Sequence, residues 1–156
     1  MNHKDHRSIG ALIAVNEPDV QNGLVDAFIA ADITEPKEAA NASGLREVLA
    51  AANLDLIVMS SHLGGEFVAP MISEVRRGKL GPHPFPVVLV LTNDREPATL
   101  RQISNCGPDD IVLLPCEPEE LLSRINVFLA GGRRPLVVTP GYAGPERRTA
   151  ERVTPT

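Results

Sequence analysis

Ser60, Ser61 and His62 stand together in this chain, the one stretch where a serine lies beside a histidine. A serine hydroxyl attacks only when a nearby base takes its proton, and His62 is the base the spacing offers. Nothing around it completes a triad or a ligand set. His62 is therefore read as a loop histidine, and Ser60 and Ser61 as small polar residues at a strand end. Cys106 and Cys116 form no redox or metal motif, and Cys116 is followed by Glu117 and Glu119, which oppose its ionisation. Asp94, Asp109 and Asp110 read as turn acids. In Glu17-Pro18-Asp19 the pattern is a helix start, with Asp19 at the positive end of the dipole. Gly64-Gly65 is too little glycine to cradle a phosphate. The expectation is that the chain is not an enzyme and holds no cofactor and no metal.

The elements that would position these residues are legible from hydrophobic runs. Ile9–Val15, Leu54–Ser60, Phe85–Thr92 and Asp110–Leu114 are nearly continuous apolar stretches, the pattern of parallel strands covered on both faces. A fifth run, Ile33–Ala39, contains Pro36 and three charged residues, which predicts a short edge strand. Between them lie helical patterns. Asp19–Ala30 places Val20, Leu24, Ala27 and Phe28 on one face. Ser43 is a candidate cap for a helix running to about Ala52. Glu66–Arg77 should be helical up to Gly78, with Pro70 delaying or kinking its start. Glu96–Asn105 is short, and Pro118–Leu129 is the clearest helix of all. The order is βα repeated five times, which predicts a doubly wound, parallel five-stranded α/β sheet with function at the carboxyl ends of its strands.

Composition bounds the rest. Hydrophobic residues are 43% and aromatics 3%, so the core must be aliphatic. Residues 1–8 are polar and read as a disordered N-terminus, 9–131 as the folded domain, and 132–156 as an extended or disordered Pro/Gly/Arg-rich tail, with Leu136-Val137-Val138 as one possible short strand. The tail from Arg133 onward carries three net positive charges, and the remainder is at minus eight. An acidic body disfavours nucleic-acid binding. No run approaches the ~18 apolar residues of a membrane span, and no signal-peptide pattern opens the chain. With two unpaired cysteines, the expectation is a cytoplasmic protein with neither a nucleic-acid nor a membrane partner.

Residues 9–130 resemble the receiver domain of two-component signalling, the flavodoxin-like (CheY-like) family. Ile13-Ala14-Val15-Asn16-Glu17-Pro18-Asp19-Val20 is similar to its first strand and acidic turn. Leu54-Asp55-Leu56-Ile57-Val58-Met59 resembles the strand leading to the phosphorylated aspartate. Val90-Leu91-Thr92 resembles the strand bearing the hydroxyl switch residue. Asp110–Pro115 followed by Glu119-Glu120-Leu121 resembles the last strand, the Lys-Pro turn and the last helix. The resemblance implies metal-binding acids at Val15-Asn16 or Asn16-Glu17, a phosphoacceptor at Ser60, a hydroxyl at Thr92, an aromatic switch at Ile111 and a lysine at Leu114. Only Thr92 matches. Mg²⁺ wants hard, mainly carboxylate oxygens, and phosphoryl transfer needs charge neutralisation by metal and lysine. The implied function is a pseudo-receiver that is not phosphorylated on aspartate and acts as an interaction module.

In such a domain the fourth helix, fifth strand and fifth helix form the partner face, which places Arg95, Arg101, Gln102, Arg124 and Asn126 against a signalling protein or a second copy of the chain. Tyr142-Ala143-Gly144-Pro145-Glu146-Arg147-Arg148 resembles the tails of some bacterial receiver proteins. Tyr142 is expected there as an aromatic anchor in a groove, with Arg147 and Arg148 beside it. Two alternatives stand: an unusual receiver that still accepts phosphate, and a small-ligand or nucleotide-binding module using the tail arginines.

Overall fold

The computed structural model describes residues 9–33 and 35–147. Five strands form one parallel sheet: β1 (Ala11–Ala14), β2 (Lys37–Glu38), β3 (Leu56–Ser60), β6 (Val87–Thr92) and β7 (Asp110–Leu113), in the order β2-β1-β3-β6-β7. The three central strands are buried along their whole length, as their unbroken apolar runs require. The edge strand β2 has two residues, with Pro36 just before it.

Helices cover both faces. On one, α2 (Ala42–Ala51), α3 (Pro70–Arg76) and α4 (Pro97–Asn105) pack Leu45, Leu49, Ile72, Val75 and Ile103 onto Leu12, Ile57, Met59, Val88 and Val90. On the other, α1 (Pro18–Ala30) and α5 (Pro118–Leu129) pack Leu24, Phe28, Leu121 and Ile125 onto Ile13, Val58, Leu89 and Val112. Alternate residues of each strand serve opposite layers, the two-residue period of extended chain. Four of the five helices open with proline at the first turn, where its missing N–H costs nothing. Among the described residues no helix is long and apolar enough to cross a membrane.

Two local expectations need correction. The cap of α2 is Asn41, whose side chain accepts from the Gly44 N–H at 2.7 Å, and Ser43 lies inside the helix. The stretch from Glu66 is not helical at its start. It returns as a small antiparallel hairpin, β4 (His62–Leu63) against β5 (Glu66–Phe67), turning on Gly64-Gly65. Both glycines have positive φ, 60° and 86°, and α3 begins only at Pro70.

The largest difference concerns the tail. Residues 133–147 are a packed strap. Strands β8 (Leu136–Thr139) and β9 (Tyr142–Pro145) form a hairpin, and β9 is buried throughout. The strap lies at the amino-terminal end of the sheet, opposite the strand-end site. The backbone makes room for it. Gly107 has φ 99°, and a Cβ there would lie 2.2 Å from the Ala143 carbonyl oxygen; one on Gly144 would lie 2.8 Å from Gly107. Tyr142, 8% exposed, donates from its hydroxyl to the Pro145 carbonyl at 2.7 Å. The expected boundary at 131–132 is thus no boundary in packing up to residue 147. Residues 1–8 and the tail from Arg148 lie outside the described residues.

Candidate functional site

The loops after β1, β3, β6 and β7 converge on one small cavity of about 30 Å³ lined by Asn16, Glu17, Ser60, Ser61, His62 and Thr92. Asn16 and the three hydroxyls are held by neutral hydrogen bonds. The Asn16 N–H donates to Ser60 Oγ at 3.1 Å. The Asn16 amide also staples the β4–β5 hairpin: its Nδ2 donates to the His62 carbonyl, and its Oδ1 accepts from the Gly64 N–H at 3.1 Å. Ser61 Oγ donates to Thr92 Oγ1 at 2.9 Å, and Thr92 Oγ1 also accepts the Asp94 N–H at 3.1 Å. Ser60, Ser61 and Thr92 are all buried.

His62 Nδ1 lies 2.9 Å from Ser61 Oγ, and its ring packs against Phe67. Ser61 Oγ is thus shared between the His62 ring and Thr92 Oγ1, which ties His62 into the hydroxyl network at the strand ends.

The resemblance implies a divalent cation here, and the donor set does not fit one. Val15 is 3% exposed and belongs to the α1–α5 core layer. Asn16 already uses its carbonyl oxygen within the chain, and Ser60 is neutral. Glu17 is the single carboxylate lining the cavity, and its Oε1 is buried with no hydrogen-bond partner among the described residues. One carboxylate beside neutral oxygens is far short of the oxygen cage a hard cation prefers. No cluster of three or more His, Cys, Asp or Glu side chains able to hold a metal occurs among the described residues.

Leu114 stands where the resemblance places a lysine. It is 8% exposed and packs in the apolar layer between α1 and α5. Ile111 pairs with Val90 and packs, half-buried, against the α2–α4 core layer. Neither carries a group that could respond to a phosphate.

On the expected partner face, Arg101 and Gln102 of α4 and Asn126 of α5 are exposed. Leu113 on the edge strand β7 is 38% exposed, and Val127 on α5 is 54% exposed. Arg95 donates to the Leu114 carbonyl at 2.8 Å, tying the loop after β6 to the end of β7. Arg124 is held by Asp110 at 2.5 Å and Glu120 at 3.3 Å.

The tail residues behave differently from expectation. Tyr142 is an anchor, but the groove it fills belongs to its own chain, where burial pushes its hydroxyl pKa up. Arg147 stacks over the Tyr142 ring at 4.1 Å and donates to Asn105 Oδ1. Neither is a free contact for a partner, and Arg148 lies outside the described residues.

Sequence reasoning missed a buried charge cluster beneath the strap. The Asp109 carboxylate, 1% exposed, accepts from Arg76 at 3.0 Å, from Arg133 at 2.7 and 3.2 Å and from the Val88 N–H at 2.8 Å. Arg76, whose side chain is fully buried, also donates to the carbonyls of Gly107 and Pro86. Burial lowers its pKa, and Asp109 opposes that shift. Asp109 read as a turn acid because both of its partners are remote in sequence. The local signal was Arg76 at a position of α3 that the helical pattern turns inward.

No family profile matches the chain. It is 30% identical over 133 residues to Protein PetR of Rhodobacter capsulatus, covering 83% of this chain and 52% of that protein, so it spans about half the length of this curated relative. Solved structures similar to it include receiver domains and response regulators. One, a CheY-like receiver protein of Methanospirillum hungatei, has a TM-score of 0.65 at 15% identity over 79% of this chain and 95% of its own. The receiver domain of the NarL response regulator of Mycobacterium tuberculosis has a TM-score of 0.64 at 21% identity, over 79% and 98%. A Burkholderia pseudomallei response regulator with a phosphorylated aspartic acid and a calcium ion has a TM-score of 0.58 at 20% identity, over 83% and 77%. The chain has the receiver fold.

Proposed function

We propose that this chain is a pseudo-receiver: it keeps the receiver fold, is not phosphorylated on aspartate, and serves two-component-type signalling as a non-enzymatic protein–protein interaction module. One observation carries the reading. The acceptor position is Ser60, its hydroxyl held by the Asn16 N–H, in a small cavity whose other hydroxyls are bonded to one another. A serine there cannot form an acyl phosphate, and no lysine or carboxylate cluster stands by to neutralise a transferring phosphoryl group. What remains usable is surface. The α4–β7–α5 face presents Arg101, Gln102 and Asn126 with the exposed aliphatics Leu113 and Val127. It is the region we assign to a signalling partner or a second copy of this chain, in the cytoplasm.

A second reading, a receiver with unusual ligands that still accepts phosphate, draws on Glu17. A buried carboxylate oxygen without a partner is costly, and a bound cation would relieve it. One experiment separates the two. The full chain is incubated with acetyl phosphate and 10-fold graded Mg²⁺, and read by intact mass and thermal melting. A pseudo-receiver gains no phosphate, as wild type or as Ser60→Asp, and its midpoint does not move. A ligand at ~100 times its dissociation constant adds about 2.7 kcal/mol, so binding would be plain. Phosphate lost in Ser60→Ala, or a clear upward shift with Mg²⁺, establishes the second reading.

A further inference from the structure

We propose that β8 is a docking edge for a short, extended, acidic segment of a partner protein, which adds to the β8–β9 hairpin as a third strand. This surface is separate from the α4–β7–α5 face, so either can fail without the other.

The hairpin register decides which backbone groups are available. Thr139 pairs with Tyr142 across the Pro140-Gly141 turn, Val137 with Gly144, and the Glu146 N–H donates to the Pro135 carbonyl at 2.7 Å. Antiparallel ladders alternate bonded and non-bonded pairs. Pro135, Val137 and Thr139 therefore turn their polar groups toward β9, and Leu136 and Val138 turn theirs outward. Among the described residues, neither Leu136 nor Val138 has a backbone partner on that side. Because β9 is buried against the body, β8 is the strand that faces away from it.

The side chains suit a docked strand. Leu136 and Val138 share one face of β8 and are 40% and 62% exposed. Natural sheets protect their edges with charge, bulges or cover, and here Pro135 and Pro140 limit the open edge to four residues without closing it. Two outward N–H and two outward C=O groups match a peptide of three to five residues, the main chain giving affinity and alternate side chains specificity.

Charge selects the occupant. Arg134 is exposed at the start of β8, where it makes a long 3.4 Å contact to the Glu146 carbonyl. In the described strap Arg134 and Arg147 outnumber Glu146, Arg133 is taken up by Asp109, and residues 1–132 are acidic overall. An acidic segment is thus drawn to the Arg134 end of β8.

The test uses the ¹⁵N-labelled full chain at low salt and the blocked peptide acetyl-Glu-Glu-Val-Thr-Val-Thr-amide, with a Lys-Lys counterpart as control. The expected result is saturable movement of the Leu136 and Val138 amide signals at or below about 1 mM, with the glutamate peptide about fivefold tighter. Val138→Pro removes one outward donor without breaking a bond to β9 and should weaken binding about tenfold. Arg134→Glu, which leaves the backbone ladder between β8 and β9 alone, should reverse the preference between the peptides. Still amides, equal affinity for both peptides, or an unchanged preference in Arg134→Glu overturns the proposal. So does protection of the Leu136 and Val138 amides from exchange without peptide, whether lost on dilution (a second copy on the edge) or lost on deleting residues 148–156 (this chain's own end).

Discussion

Single side chains with reactive groups are held in structural roles by their neighbours. Thr92 keeps its hydroxyl, yet that oxygen already accepts from Ser61 and from the Asp94 N–H, so it holds the loop after β6 in place. Cys106 shows the same logic with a thiol. Its Sγ donates to the Gln102 carbonyl at 3.2 Å, and burial pushes its pKa up to about 11. The fold favours the neutral thiol, so this stabilisation is whole below the unfolded pKa near 9 and is lost as pH rises toward 11. At pH 8 only about one Cys106 in a thousand is thiolate, against roughly one in ten when unfolded. Iodoacetamide at pH 8 should therefore modify Cys106 about a hundredfold more slowly in the native chain than in urea, as followed by peptide mass. Equal rates would mean that the site does not suppress ionisation.

Among the elements, the strap shows how a segment without periodicity becomes part of a fold. Its anchor is Asp109, whose carboxylate pairs with both Arg76 from α3 and Arg133 from the strap. Removing one partner of a buried ion pair strands the other charge and costs about 3–5 kcal/mol. Asp109→Ala should lower the stability of the chain by that amount, measured by urea unfolding, because the fully buried Arg76 has no route to water. Arg46→Ala is the control: its pair with Glu74 at 2.8 Å is exposed, and such pairs contribute little. If both variants lose the same small amount, Asp109 is no anchor. Gly107 belongs to the same element, since β9 passes where its Cβ would be.

The whole molecule is a receiver body closed at one end by its own strap, with its strand-end site filled at the other. A chain ending at Gly132 loses Arg133 and the hairpin that covers Gly107, and it exposes Asp109. Taking that loss as about 3 kcal/mol, at 2–4 °C per kcal/mol for a domain of this size, its melting midpoint should fall by roughly 6–12 °C. An unchanged midpoint would show that the strap adds nothing to the body. The charge asymmetry also acts at this scale, because the basic strap sits on an acidic domain and screening by salt weakens any contact between them.

The βα alternation, the doubly wound sheet and the neutral residues at the strand ends were readable from the sequence, because they depend on local periodicity and on the residue at a strand end. Continuous apolar runs at β1, β3 and β6 dictate a sheet covered on both faces, and Ser60, Asn16 and Leu114 announce missing charge wherever they fall. The strap was readable only in part. Leu136-Val137-Val138 reads as a short strand and is β8, but Tyr142–Pro145 contains glycine and proline and shows neither the length nor the alternation that marks a strand. Their stability comes from long-range contacts: Arg133 on Asp109, Tyr142 in its groove, Gly144 on Gly107. The same holds for the bonds that occupy the site, since Asn16 meets Ser60 and Gly64 across 44 and 48 positions. Sequence spacing carries the preferences of each segment, and only the folded chain decides which distant polar groups become partners.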